Sequence, residues 1–270
     1  MNNTTSIIKY FIIVLIFILI ILIIVIAKLK YNSFVNYVHD LYPKPSINIK
    51  YQLPWQRVFY FNRIKEFEQK PIGENKIVFL GNSITEGGRN WNHRFNTNNI
   101  VNRGISGDYT EGVLNRLNEI IYYKPIAVFI LIGINEFFKD NSTNLKINPI
   151  YVAENIFKIA NIIKNGSPAT LVFIQTIFPI NNQYYMKVKK VDYNFLQSSY
   201  RPSINEQINN VNSILIDNKK HNVIDLHSLF LNNEGVLDPK FSLDGVHLNQ
   251  KGYQIWTDTI TPLIRSLNNQ

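Results

Sequence analysis

The chain has 270 residues, of which 46% are hydrophobic and 17% charged, a composition that suits one globular domain with a short appendage and excludes a disordered chain. Its 28 basic and 19 acidic residues give a net charge of +9, and because Lys9, Lys28 and Lys30 fall in the first 30 residues with no acid, the rest carries a dispersed +6. With no cysteine, disulfides, thiolate metal sites and a cysteine nucleophile are excluded.

In chain order, the first element runs from Tyr10 to Ala27, YFIIVLIFILIILIIVIA, without charge or proline. It approaches the roughly 20 residues that cross a bilayer core of about 30 Å. Lys9 before it and Lys28 and Lys30 after it predict a transmembrane helix within residues 1–30, kept as an uncleaved anchor. Val25-Ile26-Ala27 also has the form of a signal-peptide cleavage site, so a cleaved, secreted form is the alternative. Basic residues on both flanks give little orientation, and the expectation is a single-pass membrane protein with its folded domain outside the cytoplasm. Residues 31–70, with Pro43, Pro45 and Pro54, read as a polar, aromatic-rich stem, and residues 71–270 as the folded domain.

Within that domain Lys76–Leu80 is a branched apolar run that predicts a buried strand, and Ile100-Val101 is a weaker candidate. Val113, Leu114, Leu117, Ile120 and Ile121 follow helical spacing, with Asp108 and Glu111 placed as a capping box. Ile126–Ile132 predicts the next strand. Asn148 as cap, Pro149 in the first turn, Val152, Ile156, Ile159 and Ile163 as the buried stripe and Gly166 beyond the end predict a well-punctuated helix. Leu171–Thr176 and Val223–Leu226 predict further strands, with helices on the stripes Ile204, Ile208, Val211, Leu215 and Tyr253, Trp256, Ile260, Leu263. The basic cluster Lys187, Lys189, Lys190 has no accompanying nucleic-acid motif and reads as a solvated loop, so no nucleic-acid partner is expected. Strands alternating with helices imply an α/β fold with a parallel sheet covered on both faces.

Ligands of such sheets meet the carboxyl ends of the strands. After the first strand comes GNSITEGG, where a glycine turn presents Ser83; a serine there fits a helix N-cap as well as a nucleophile. After the second candidate comes NRGISGD, in which Gly104 lets a backbone N–H approach a reacting carbonyl, or simply forms a tight loop. Asn135, in GINE after Ile132, offers amide hydrogens to an oxyanion or caps a turn. Near the C-terminus DGVH places Asp244 three residues before His247, so that one turn can aim a carboxylate at an imidazole. A serine becomes a competent nucleophile when a histidine takes its proton and a carboxylate fixes that histidine's tautomer. Trp91, Phe137, Phe138 and Tyr184 are candidates to line a substrate cleft, but aromatic residues near strand ends are more often packing, and they read as packing residues.

These blocks, in this order and over residues 76–267, resemble the four blocks of the SGNH (GDSL-like) hydrolases, in particular the branch of platelet-activating-factor acetylhydrolase and the bacterial carbohydrate O-acetylesterases. The resemblance implies a three-layer flavodoxin-like α/β sandwich with a five-stranded parallel sheet. It implies Ser83 as nucleophile, His247 as base positioned by Asp244, and an oxyanion hole made of the Ser83 and Gly104 N–H groups and the Asn135 side chain. Two positions depart from the family pattern: Asn82 replaces the usual Asp, and Glu136 the usual Asp. Absence of G-x-S-x-G around Ser83 disfavours an α/β-hydrolase, and absence of H-E-x-x-H a zincin. The expected activity is hydrolysis of small acyl esters, acetyl foremost, on carbohydrate or cell-envelope glycan through an acyl-Ser83 intermediate, with no metal or cofactor. The alternatives are an acyltransferase or phospholipid deacylase using the same triad, and a catalytically silent, membrane-anchored glycan-binding module.

Overall fold

The computed structural model describes residues 2–139 and 147–269, and the chain divides into two compact units, Met1–Tyr42 and Pro43–Gln270. The first unit is built on α1 (Asn2–His39). Its stretch Ile8–Lys30 has 23 residues of mean hydropathy 3.7, none buried by protein. At 1.5 Å per residue it is about 34 Å long, enough to cross a hydrocarbon core, and its position at the N-terminus is equally that of a signal sequence.

The second unit runs α2 (Pro54–Gln69), β1 (Ile77–Gly81), α3 (Ser83–Gly87), α4 (Trp91–Phe95), β2 (Ile100–Gly104), α5 (Thr110–Leu114), α6 (Asn118–Tyr123), β3 (Ala127–Leu131), α7 (Pro149–Gly166), β4 (Leu171–Gln175), α8 (Asn182–Lys189), α9 (Ile204–Asp217), β5 (Asn222–Ile224) and α10 (Gln250–Asn268). All five strands pair in parallel, in the order β2-β1-β3-β4-β5. This is the expected three-layer α/β sandwich.

The central strands β1, β3 and β4 read as continuous apolar runs because both sheet faces are covered there, yet their side chains sort by alternation into two cores. Val78, Leu80, Val128, Ile130, Val172 and Ile174 face α7 and α9, where Val152, Ile156, Ile159, Ile163, Ile208, Val211 and Leu215 are buried. Ile77, Phe79, Phe129 and Phe173 face the other way, against Trp91 and the α10 residues Trp256, Ile260 and Ile264. Phe79, Phe129 and Phe173 stack across neighbouring strands with ring centroids 5.0 and 4.9 Å apart. The order reverses between β1 and β3, which opens the crevice at their carboxyl ends where such sheets bind ligands.

The start of α7 is as expected, with Asn148 Oδ1 accepting from Tyr151 N–H at 2.9 Å and Pro149 at the first position, whereas Gly166 is its last helical residue and Ser167 follows as the C-cap. Two further expectations change. The helix expected over residues 109–121 is two short helices, α5 and α6, and Asp108 is no cap: its carboxylate is buried and takes the Arg116 guanidinium at 2.9 Å. The stem is also redrawn, because residues 43–70 belong to the compact unit. In α2, Tyr60, Ile64 and Phe67 form a buried stripe at i, i+4, i+7, and the Tyr60 hydroxyl donates to Gly112 O at 2.9 Å.

Candidate active site

β1 ends at Gly81, where a Cβ would lie 2.2 Å from Leu131 O and 2.3 Å from Thr85 Oγ1. Only glycine lets the chain turn there into α3. Asn82 caps α3, its Oδ1 accepting from Ile84 N–H at 3.0 Å. An aspartate in that position would offer the same acceptor, so the asparagine preserves the turn. Ser83 is thereby the first residue of α3, at the carboxyl end of the sheet.

Its Oγ lies 3.1 Å from His247 Nε2, and His247 Nδ1 lies 2.9 Å from Asp244 Oδ2. The carboxylate favours the tautomer with the proton on Nδ1, which leaves Nε2 free to accept the serine proton. Asp244 Oδ1 takes the backbone N–H groups of Val246 and His247 at 3.1 and 2.8 Å. The loop is closed by Ser242, whose Oγ accepts from Gly245 N–H at 2.7 Å and donates to His247 O at 2.9 Å. Gly245 has φ +89°, and a Cβ there would meet Asn181 O at 2.4 Å, so α8 can pack on this loop only because the residue is glycine. From the end of α8, Lys189 Nζ reaches Asp244 Oδ2 at 2.9 Å. Burial raises the Asp244 pKa, but the bonds from His247 and Lys189 outweigh it and hold the carboxyl well below the ordinary range. It is ionised wherever the imidazole is called on to accept a proton.

Asn135 lies on the loop after β3, one amide hydrogen donated to Asp108 O at 2.8 Å, and its side chain borders the same cleft as Ser83 and His247. Gly104 is not placed as expected. Its N–H donates to Asn102 Oδ1 at 2.9 Å, and a Cβ on it would fall 2.2 Å from Glu86 N. Gly104 is therefore the contact that lets α3 rest on β2. Three residues later Gly107, at φ +76°, borders the cleft with Ser83, Asn135 and His247, and its N–H has no acceptor among the described residues. The signal was the second glycine of NRGISGD; which of the two N–H groups is already used is a matter of tertiary structure.

Sequence reasoning also missed the supports of this loop. Glu86 Oε2 accepts from both the N–H and the hydroxyl of Ser106 at 2.6 Å, and Arg63 of α2 pairs with Glu86 Oε1 at 3.3 Å. Arg116 donates to Gly81 O at 3.0 Å, Arg103 O at 2.9 Å and Asp108 Oδ2, tying the ends of β1 and β2 to the loop. Burial pushes the Asp108 carboxyl up to about 6 although Arg116 pulls it down. Burial likewise pushes Glu136 up to about 7, against hydrogen bonds from Thr110.

Ser83 and His247 stand between two depressions. One, of about 360 Å³, is lined by Leu53, Trp55, Gln56, Tyr109, Ile134, Phe138, Tyr185 and Val246 with Gly107 and Asn135. The other, of about 490 Å³, is polar, with Arg63, Glu86, Arg89, Asn102 and Ser106. Of the aromatic residues read as packing, Trp91 and Phe137 are buried in the core, whereas Phe138 lines the cleft. Among the described residues no group of three or more His, Asp or Glu is placed to hold a metal ion.

A five-stranded parallel sandwich with a serine at the end of β1, in line with a histidine and an aspartate from the loop before the last helix, is the arrangement of the SGNH hydrolases. Residues 79–255 match the GDSL-like Lipase/Acylhydrolase family, and the chain belongs to it. The fold is shared with solved structures. A GDSL-like lipase from Bacteroides thetaiotaomicron is 23% identical, with a TM-score of 0.61 over 77% of this chain and 97% of that one. A Streptococcus pneumonia protein provisionally described as a platelet activating factor is also 23% identical, with a TM-score of 0.61 over 77% and 92%. The acetyl xylan esterase AlAXEase is 18% identical, with a TM-score of 0.54 over 70% and 99%. No curated protein matches the chain in sequence.

Proposed function

We propose that the chain is a serine esterase that removes acetyl groups from carbohydrate esters, with Ser83, His247 and Asp244 as its triad. The carrying observation is the unbroken line from Ser83 Oγ through His247 to Asp244 at 3.1 and 2.9 Å, opening on a cleft bordered by Gly107 and Asn135. His247 Nε2 takes the Ser83 proton as Oγ attacks the ester carbonyl. The resulting oxyanion is held by the N–H groups of Ser83 and Gly107 and the free amide hydrogen of Asn135. Collapse expels the alcohol, which takes the proton from the imidazolium, and the acetyl group stays on Ser83. Water, deprotonated by His247, then releases acetate and restores the serine.

Hydrolase chemistry follows from the family; acetyl and carbohydrate are supported by the acetyl xylan esterase fold relative and by a cleft that combines aromatic walls with amide and hydroxyl groups. The catalytic unit is read as starting at Pro43 and standing outside the cytoplasm on the α1 anchor. The test is labelling with a fluorophosphonate, followed by acetate release from acetylated glycans. Wild type is expected to be labelled at Ser83 and to release acetate, and Ser83→Ala to do neither. Labelling without free acetate, the acetyl group appearing instead on an added sugar or lipid, would replace hydrolysis by transfer. Glycan binding without labelling would make the chain a silent binding module.

A further inference from the structure

We propose that Trp55 is the sugar platform of the active site, stacking on the pyranose ring that bears the ester; this rests on the carbohydrate esterase reading above. Trp55 lies outside the family-matched residues 79–255, in the first turn of α2, yet it lines the same cleft as Ser83, Asn135 and His247. Its indole lies directly over the oxyanion loop: a Cβ added to Gly107 would be 3.1 Å from Trp55 Cη2 and Cζ3. Despite that contact, 54% of Trp55 is exposed, whereas Trp91 and Trp256 are 1% and 0% exposed. An indole that touches Gly107 with one edge and is still more than half exposed has area left for a ligand ring.

The platform is fixed from below. Phe59 meets it edge to face, with centroids 6.1 Å apart. Gln56 Oε1 accepts from Leu53 N–H at 2.8 Å, and its Nε2 donates to the Tyr109 hydroxyl at 3.1 Å, fastening the start of α2 to the loop that carries Gly107. A wall pre-ordered in this way binds without the entropy cost of ordering side chains.

The ligand chemistry follows from what surrounds the ring. The cleft of about 360 Å³ is far larger than an acetyl group and within the range of about 300–1,000 Å³ of sites that enclose whole small molecules. An aromatic face carries negative charge density and attracts the partly positive C–H bonds that line one face of a pyranose. Hydroxyls around the rim of that sugar need hydrogen-bonding neighbours, and Tyr109 and Ser106 border the same cleft. The Tyr109 hydroxyl accepts from Gln56 and can still donate, and the Ser106 hydroxyl donates to Glu86 and can still accept, capacity that a straight acyl chain would not use.

The experiment uses the full chain in detergent and two readouts. In Ser83→Ala, unacetylated xylotetraose is expected to shield tryptophan emission from acrylamide, since Trp55 is the exposed one of three. In the active protein, Trp55→Ala is expected to lower kcat/KM for acetylated xylo-oligosaccharide relative to that for p-nitrophenyl acetate by about tenfold, mainly through KM, with Trp55→Phe recovering most of the loss. No shielding by the oligosaccharide, with p-nitrophenyl acetate still hydrolysed by wild type, would overturn the platform and leave the esterase standing. A Trp55→Ala effect larger on p-nitrophenyl octanoate than on the oligosaccharide would make Trp55 an acyl-chain wall and equally overturn it. Loss of fluorophosphonate labelling in wild type would instead remove the esterase reading itself.

Discussion

Lys189 donates to the same oxygen of Asp244 that holds His247 Nδ1, each at 2.9 Å, so an ammonium and an imidazole share one carboxylate. A cation there opposes formation of the imidazolium on which the proposed acylation of Ser83 depends. Removing it in Lys189→Met leaves the carboxylate to His247 alone, and kcat/KM for an aryl acetate at neutral pH should rise by about twofold, a small effect because Lys189 is largely solvated. Lys189→Arg should restore the wild-type value; equal kcat/KM for Met and wild type would deny Lys189 this role. Glu136 gives a dependence on pH. Its carboxyl is raised from an ordinary 4.5 to about 7, so the folded state keeps a proton that the unfolded chain has released. The stability it contributes is complete below pH 4.5 and is lost as pH rises through about 7. Glu136→Gln keeps an oxygen for Thr110 N–H, now 2.6 Å from Glu136 Oε1, and removes the ionisation. Its thermal midpoint should gain on wild type from pH 5 to about pH 7 and level off above, and a constant offset would contradict this account. At this scale the line of Ser83, His247 and Asp244 was legible because the three residues fall in compact local motifs. The choice between Gly104 and Gly107 was not, since it turns on an Asn102 side chain folding back to occupy one N–H.

Among the elements, the carboxyl ends of β1 and β2 are joined through Arg116, in the turn between α5 and α6. Its guanidinium, buried with Asp108, satisfies two strand carbonyls as well as the carboxylate. Arg116→Met would leave Asp108 buried without its cation and Gly81 O and Arg103 O without that donor. A loss of about 3–5 kcal/mol in denaturant unfolding is expected, together with a loss of activity because Gly107 and Asp108 lie on one loop. A variant as stable as wild type would mean that Asp108 is held neutral instead. This pairing also explains why the apparent capping box failed: the carboxylate has a stronger partner eight residues on, and the helix breaks at Asn115–Leu117 to place it. β1, β3, β4 and the helices α7, α9 and α10 were legible because each buries one clear stripe or an unbroken apolar run, whereas β2, with Asn102 and Arg103 in it, showed only Ile100-Val101. In α2 the pattern was blurred, since Trp55, Val58 and Phe59 are apolar on its exposed side while Tyr60, Ile64 and Phe67 are apolar on its buried side.

For the whole molecule, the division at Tyr42 and Pro43 separates an apolar helix from a unit that already contains α2. Two truncations distinguish this arrangement from a stem that ends at residue 70. A chain starting at Pro43 should be soluble without detergent and retain aryl-acetate hydrolysis, because every support of the Ser83 site, from Gln56 and Arg63 to Arg116, is still present. A chain starting at Pro71 loses Tyr60, Ile64 and Phe67 from the core, the Tyr60 bond to Gly112 and the Arg63 pair with Glu86. Burying three such side chains is worth several kcal/mol, a large share of the roughly 5–15 kcal/mol that holds a domain together. The shorter chain should therefore aggregate or unfold at lower denaturant, and the loop bearing Gly107 should lose its brace. Equal stability and activity of the two truncations would return residues 43–70 to the role of a stem. Fractionation of the full chain with membranes, lost in the chain from Pro43, would assign the membrane tether to α1, and soluble full-length protein would refuse it.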